Sequence, residues 1–243
     1  MEVRAAEPED ADAIREIARR SLEASYTLSP QTIEGAVKQW YSEEPLRENL
    51  EDDAVVVLVG ERDGEIVGFS QGQLVAEGGD GDLNWLHVDP DYRGEGIART
   101  LFDATRERLT DMGATRMRGR VLRDNTGGNE FYEHLGFTKA ADEKVDIDGT
   151  DHVENIYVET EPEELEPVTT ESGREVYVDY DDSERASLAP FLRAFSDPDR
   201  ERAYGYYCTN CESLDAAVDT MGRVECNQCG NVSKATRWDA AYM

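Results

Sequence analysis

Apolar positions along the chain change period several times, and each change marks an element. Val3 to Ala6 reads as a first strand; from about Glu9, Ile14, Ile17 and Leu22 recur at helical spacing on one face. Gln31 to Tyr41 and Glu43 to Leu50 read as further helical pieces. Ala54 to Gly60 and Glu65 to Val75 are strands joined around Asp63-Gly64, a dipeptide that suits a two-residue hairpin turn. A turn at Gly78-Gly79-Asp80-Gly81 leads into a strand ending at Val88. Ile97, Leu101, Ala104 and Met112 return to helical spacing, and Gly113 stops that helix. Thr115 to Leu122 is a strand, a short helix follows Asn125, and His152 to Glu159 is the closing strand. The order βα(α)βββαβαβ predicts an α/β (α+β) domain over residues 1–158.

The junction between the strand ending at Val88 and the helix after it carries candidate chemistry. Here the chain runs Val88-Asp89-Pro90-Asp91-Tyr92-Arg93-Gly94-Glu95-Gly96-Ile97-Ala98. A glycine-spaced loop at a helix N-terminus presents unpaired N–H groups and the positive end of the helix dipole, which favour a phosphate or pyrophosphate. Glycine at 94 and 96 lets the backbone approach that anion without a Cβ in the way. No Gly-Lys-Ser/Thr follows, which excludes the Walker loop, and Arg99 stands where a dinucleotide fingerprint needs its third glycine.

What remains, Arg93-x-x-Gly96-x-Ala98, resembles the Arg/Gln-x-x-Gly-x-Gly/Ala loop of the GNAT superfamily of acyl-CoA N-acyltransferases. Downstream, Asn125-Thr-Gly-Gly128-Asn-Glu-Phe131-Tyr132-Glu-His-Leu135-Gly136-Phe137 resembles the family's Asn-x-x-Ala-x-x-Phe/Leu-Tyr-x-x-x-Gly-Phe segment, in the right order and at the right separation. The resemblance covers roughly residues 1–158 and implies a mixed, mostly antiparallel central sheet flanked by helices. It further implies that the loop Arg93, Gly94, Gly96, Ile97, Ala98 holds the pyrophosphate of acetyl-CoA, that Asn125 contacts the cofactor, and that Tyr132 protonates the leaving thiolate. The thioester would lie against the backbone from Leu86 to Val88. Family members often carry a glutamate base on that strand; Asp82 is the candidate here, with His87 behind it and Asn84 unable to serve. Gly128 replaces the usual alanine, and Gly127-Gly128 weakens the first turn of its helix by about 1 kcal/mol per glycine.

Charge changes the picture next. The chain of 243 residues carries 54 acidic against 25 basic side chains, a formal net charge of −29, with only 4 lysines. The excess is spread through nearly every element, so it is not one acidic binding surface. Dense carboxylates repel and destabilise a compact state, whereas in molar salt the Debye length falls to about 3 Å and the repulsion is screened. The expectation is a cytoplasmic protein of a salt-in halophile that unfolds in dilute buffer and regains its far-ultraviolet circular dichroism in molar KCl. Full stability at low salt would sink it. The N-terminus is acidic and amphipathic, with no apolar run of membrane-spanning length.

After an acidic stretch read as a linker (159–173), all four cysteines fall in the unit 174–243 as Cys208-x-x-Cys211 and Cys226-x-x-Cys229, with Gly230 following. Two such knuckles give a tetrahedral thiolate set suited to structural Zn²⁺ in a small zinc-ribbon domain; iron in a rubredoxin-like site and disulfides are the alternatives. Basic residues in 174–243 number 8 against 13 acidic, which argues against nucleic acid and leaves a protein partner or a second copy as the macromolecular contact. Alternate strand residues Arg116, Arg118 and Arg120 are expected to pair with carboxylates across the sheet rather than bind an anion.

The function expected is transfer of an acetyl group from acetyl-CoA to a primary amine. Two other classes compete: a non-catalytic acyl-CoA-binding regulator, and a zinc-ribbon adaptor for a protein or nucleic acid with a vestigial front domain. No signature names the acceptor.

Overall fold

The computed structural model describes residues 1–26, 29–147, 150–159, 165–170, 172–219 and 222–233. Helix α1 (Ala11–Ser25) buries Ile14, Ile17, Ala18, Ser21 and Leu22, the one face that a 3.6-residue period allows. Ser29 caps α2 (Pro30–Tyr41), its hydroxyl accepting from the Thr32 N–H at 3.1 Å with Pro30 in the first turn. Helix α3 is Glu43–Glu51. With β1 (Glu2–Ala5) at one edge, these helices precede the antiparallel run β2 (Val55–Arg62), β3 (Glu65–Leu74) and β4 (Asp80–Val88). The β2–β3 turn has both Asp63 and Gly64 at positive φ, 54° and 84°, as a two-residue hairpin requires.

Helix α4 (Ile97–Asp111) lies across β3 on a row of small residues. A Cβ at Gly72 would stand 2.8 Å from Thr105 and Leu109 side chains, and the Ser70 and Thr105 hydroxyls meet at 2.7 Å in the core. Crossing by α4 makes β5 (Arg116–Leu122) parallel to β4, while the other described neighbours in the sheet are antiparallel. Then follow α5 (Thr126–His134), β6 (Thr138–Ile147) and β7 (Thr150–Val158), with β7 inserted between β5 and β6. The sequence pattern predicts one closing strand; the structure has two. β6 is an edge strand rich in charged residues, and its pairing with β7, not its hydrophobicity, defines it.

Two features of β4 prepare the site. Pairing with β5 covers only Asp80–Leu83 against Arg116–Gly119, and beyond that point the two strands diverge. The pairing of β4 with β3 skips Asn84, which forms a β-bulge.

A second sheet follows: β8 (Glu166–Thr169), β9 (Glu175–Glu184), β10 (Phe191–Phe195) and β11 (Ala203–Cys208), in the order β11-β10-β9-β8, with a two-stranded ribbon of β12 (Ala216–Val218) and β13 (Val224–Cys226). The expectation of a linker over 159–173 is corrected for Glu166–Thr169, which pairs with β9; residues 160–164 and 171 lie outside the described residues. The sheets meet through the arginines of β5. Arg116 reaches Asp80 at 2.7 Å and Asp181 at 2.6 Å. Arg118 forks onto Asp82 and donates to the Asp181 and Ser183 carbonyls of β9. Arg120 joins Glu143 and Asp182. The arginines therefore pair with carboxylates, as expected, but most of the acceptors named come from the second sheet. Among the described residues no helix is long and apolar enough to cross a membrane.

Candidate active site

Where β4 and β5 part, a cavity of about 460 Å³ opens, lined by β4 from Leu83 to Val88, by β5 from Arg120 to Leu122, and by residues of α1, the 93–98 loop and α5. Alternate peptides of a strand point to opposite edges. The Asp89 N–H donates to the Val67 carbonyl of β3 at 2.9 Å, so by alternation the peptide groups of Leu86 and Val88 turn toward the open edge facing β5.

The loop at one mouth folds as its glycines dictate. Gly94 and Gly96 both take left-handed φ, 81° and 82°, with nothing close to where their Cβ atoms would be. Thr100 is the first residue of α4 whose N–H finds a helical acceptor, the Gly96 carbonyl at 3.1 Å. The preceding amides of Ile97, Ala98 and Arg99 are those a helix N-terminus leaves for an anion. Arg93 turns its guanidinium back onto α1, donating to the hydroxyls of Ser21 and Ser25, each at 3.0 Å. Arg20 ties the turn before the loop, through Asp89 and Asp91.

Tyr132 lines the cavity from α5, its ring stacked on Tyr157 at 5.2 Å and edge-on to Phe131. It lies directly over Gly119 of β5, where any Cβ would fall 2.1 Å from the Tyr132 hydroxyl. Asn125 caps α5 by accepting from the Gly128 N–H at 3.0 Å and donates to the Tyr26 hydroxyl at 3.0 Å. Burial pushes the Tyr26 phenol up to about 12, so it stays protonated at neutral pH. Gly128 has a packing reason: a Cβ there would stand 2.6 Å from Val121 and 2.8 Å from the Asn125 amide. Its helix propensity is sacrificed to the close approach that forms the cap.

The candidate base on β4 is corrected. Asp82 does not line the cavity; both its oxygens accept from Arg118, at 2.6 and 2.8 Å, in a buried pair. It stands where β4 and β5 are still paired, opposite Arg118 and short of the point at which the strands part, and that partner across the sheet holds it there. His87 does line the cavity, but its Nε2 is 3.1 Å from the Tyr41 hydroxyl, and burial first, then the charge of Arg93, lowers its pKa to about 3. It is a neutral ring packed against Trp85 and Phe69. Three further lining groups, Tyr26, Asn84 and Glu154, carry no signal in the chain's pattern. The bulge leaves the Asn84 Nδ2 buried without an acceptor among the described residues.

Residues 11–137 match the acetyltransferase (GNAT) family, half of the chain. The chain belongs to that family. As a GNAT protein it is an acyl-CoA-dependent N-acetyltransferase, and the sheet, the glycine loop and the parted strands are the family fold. Residues 172–243 match a second family, of unknown function (DUF5816). A spermidine N(1)-acetyltransferase of Thermoplasma acidophilum is 26% identical over 159 residues, covering 63% of this chain and 94% of that protein. The crystal structure of the PaiA N-acetyltransferase from Thermoplasma acidophilum in complex with coenzyme A superposes with a TM-score of 0.55 at 26% identity, covering 63% of this chain and 96% of that one. A ribosomal-protein-alanine N-acetyltransferase from Brucella melitensis shares the fold, with a TM-score of 0.54 at 21% identity over 65% of this chain and 99% of that one.

The four cysteines converge in the second sheet's ribbon. Their sulfurs lie within 4.8 Å of one another, with Cys208 and Cys229 at 3.7 Å and Cys211 and Cys226 at 3.5 Å. Thiolates bound tetrahedrally at ~2.3 Å from zinc are spaced by about 3.8 Å, so the set fits a metal rather than two disulfides. Gly230, at φ 69°, lets the second knuckle close, its N–H donating to the Cys226 carbonyl at 2.9 Å. Fully buried Asn231 donates to the Ala189 carbonyl and the Cys208 sulfur and accepts from the Leu188 N–H, anchoring the knuckles to the loop before β10.

Proposed function

We propose that the chain transfers the acetyl group of acetyl-CoA to a primary amine by direct attack of the amine on the thioester. The observation that carries this reading is the gap between β4 and β5, with the 93–98 loop at one mouth and Tyr132 along its wall. In this reading Arg93 fixes the loop to α1, and the amides of Gly94, Gly96, Ile97 and Ala98 hold the pyrophosphate. The pantetheine arm lies along the open edge of β4, where the peptides of Leu86 and Val88 hold and polarise the thioester carbonyl. Asn125 shapes the far wall, and the Tyr132 hydroxyl gives its proton to the departing sulfur. The attacking nitrogen forms the C–N bond, the C–S bond breaks, and the products are an amide and free coenzyme A.

A spermidine acetyltransferase among the relatives makes polyamines the first acceptors to assay. Cys208, Cys211, Cys226 and Cys229 would hold Zn²⁺, which supplies cross-linking of the knuckles and no step of the transfer.

Calorimetric titration of acetyl-CoA in molar KCl, parent beside Gly96→Glu, tests the reading. Glutamate at 96 places a carboxylate where the pyrophosphate sits and strains a left-handed residue. The parent should bind and the variant should lose at least ~100-fold in affinity, equivalent to about 2.7 kcal/mol. A folded parent that binds no acetyl-CoA overturns the proposal.

A further inference from the structure

We infer that Glu154 of β7 receives the acceptor amine: its carboxylate binds the substrate as an alkylammonium ion and takes the proton that frees the nitrogen for attack. The inference rests on the acetyl-transfer reading above and adds to it the missing base and the charge of the acceptor.

Three observations meet at this residue. First, Glu154 is 3% exposed and is the only carboxylate among the described residues lining the cavity. A carboxylate at the wall of a cavity gives an alkylammonium ion a charge-assisted hydrogen bond there. Second, the other candidates lack either the position or the charge: Asp82 is held by Arg118 outside the cavity, and His87 is neutral and bonded to Tyr41. Third, the sheet separates the two proton transfers. Glu154 pairs with Leu122, and Tyr157 pairs with Gly119; lying three residues apart on one uninterrupted strand, they project to opposite faces. Tyr157 stacks on Tyr132, so Tyr132 and the α5 side share one face, and Glu154 looks out on the other, with Leu122 and the helices α1 and α2. The thioester enters the gap from the α4–α5 side and the amine from the α1 side.

The positive charges are divided in the same way. Arg93 and Arg99 sit at the loop mouth, where phosphates belong, and the Arg120 guanidinium is engaged by Glu143 and Asp182. The balance is closed: R–NH₃⁺ gives one proton to Glu154, the amine nitrogen bonds to the acyl carbon, and the C–S bond breaks. The second nitrogen proton replaces, by way of solvent, the one Tyr132 gives to sulfur.

The test uses the full chain in molar KCl, with n-butylamine and spermidine as ammonium probes and n-butanol as the uncharged control. The coenzyme A complex of the parent should bind at least one ammonium probe and not butanol. Glu154→Gln, the same size but unable to accept a proton, should bind that probe at least ~10-fold more weakly. It should also lose about 100-fold in kcat/KM for the amine while its acetyl-CoA affinity stays within about threefold. Glu154→Asp, which keeps the carboxylate, should recover part of the loss. A parent that binds coenzyme A but neither ammonium probe overturns the assignment, even if both variants fail to fold. So does a Glu154→Gln enzyme with the amine kcat/KM of the parent. Failure of the parent to bind acetyl-CoA is a different result: it removes acetyl transfer itself, and this assignment with it.

Discussion

Replacing Arg118 by alanine is expected to destabilise the protein by about 3–5 kcal/mol, the usual cost of removing one partner from a buried ion pair. Arg118 is fully buried, and its guanidinium joins two elements far apart in sequence. Nε and Nη2 hold Asp82 of β4, while Nη1 and Nη2 donate to the Asp181 and Ser183 carbonyls of β9. Alanine takes the cation from a buried carboxylate and a charged donor from each of two backbone carbonyls. The pair is buried, so molar salt does not screen the loss as it screens surface charge. Urea unfolding in molar KCl should show a lowered midpoint. Replacing both partners, Arg118→Met with Asp82→Leu, should restore most of it, because no charge is then stranded. An Arg118→Ala midpoint equal to that of the parent would show that something else holds the two sheets together.

Tyr132→Phe is expected to lower kcat by about 10²–10⁴-fold, the contribution of a positioned general acid. The substitution deletes one oxygen. The ring keeps its stack on Tyr157 and its contacts with Phe131 and Phe137, so stability and acetyl-CoA affinity should stay near those of the parent. The loss should shrink sharply with an acetyl thioester of an aromatic thiol, whose thiolate leaves without needing a proton. A kcat within about threefold of the parent, for acetyl-CoA, removes Tyr132 from the chemistry.

These two residues show how unevenly the molecule was written into its sequence. Tyr132 was legible because its surroundings are local: Asn125 caps the helix three residues on at Gly128, and the tyrosine follows one turn later. The glycine loop was legible for the same reason, since left-handed φ at Gly94 and Gly96 is a property of those residues and their immediate neighbours. The cysteine knuckles likewise announce their chemistry by spacing alone. Arg118 was half legible: its alternation with Arg116 and Arg120 predicted carboxylate partners, but Asp181 lies 63 residues away on another sheet.

Asp82 and Glu154 mark the boundary most sharply. Both are acids on strands, and sequence favoured the one on the strand that family members use. The structure sets Asp82 against Arg118 and brings Glu154 into the cavity, through the register of β7 on β5 and the divergence of β4. By itself the sequence determined the period of each helix and most strands, the anion loop, the tyrosine and the thiolate set, because short-range sterics and hydrogen bonds fix them. The edge strands β6 and β8, the joining of the two sheets through the β5 arginines, and which carboxylate lines the cavity came from tertiary structure. Those depend on strand register, and register is set by contacts between residues that the chain keeps far apart.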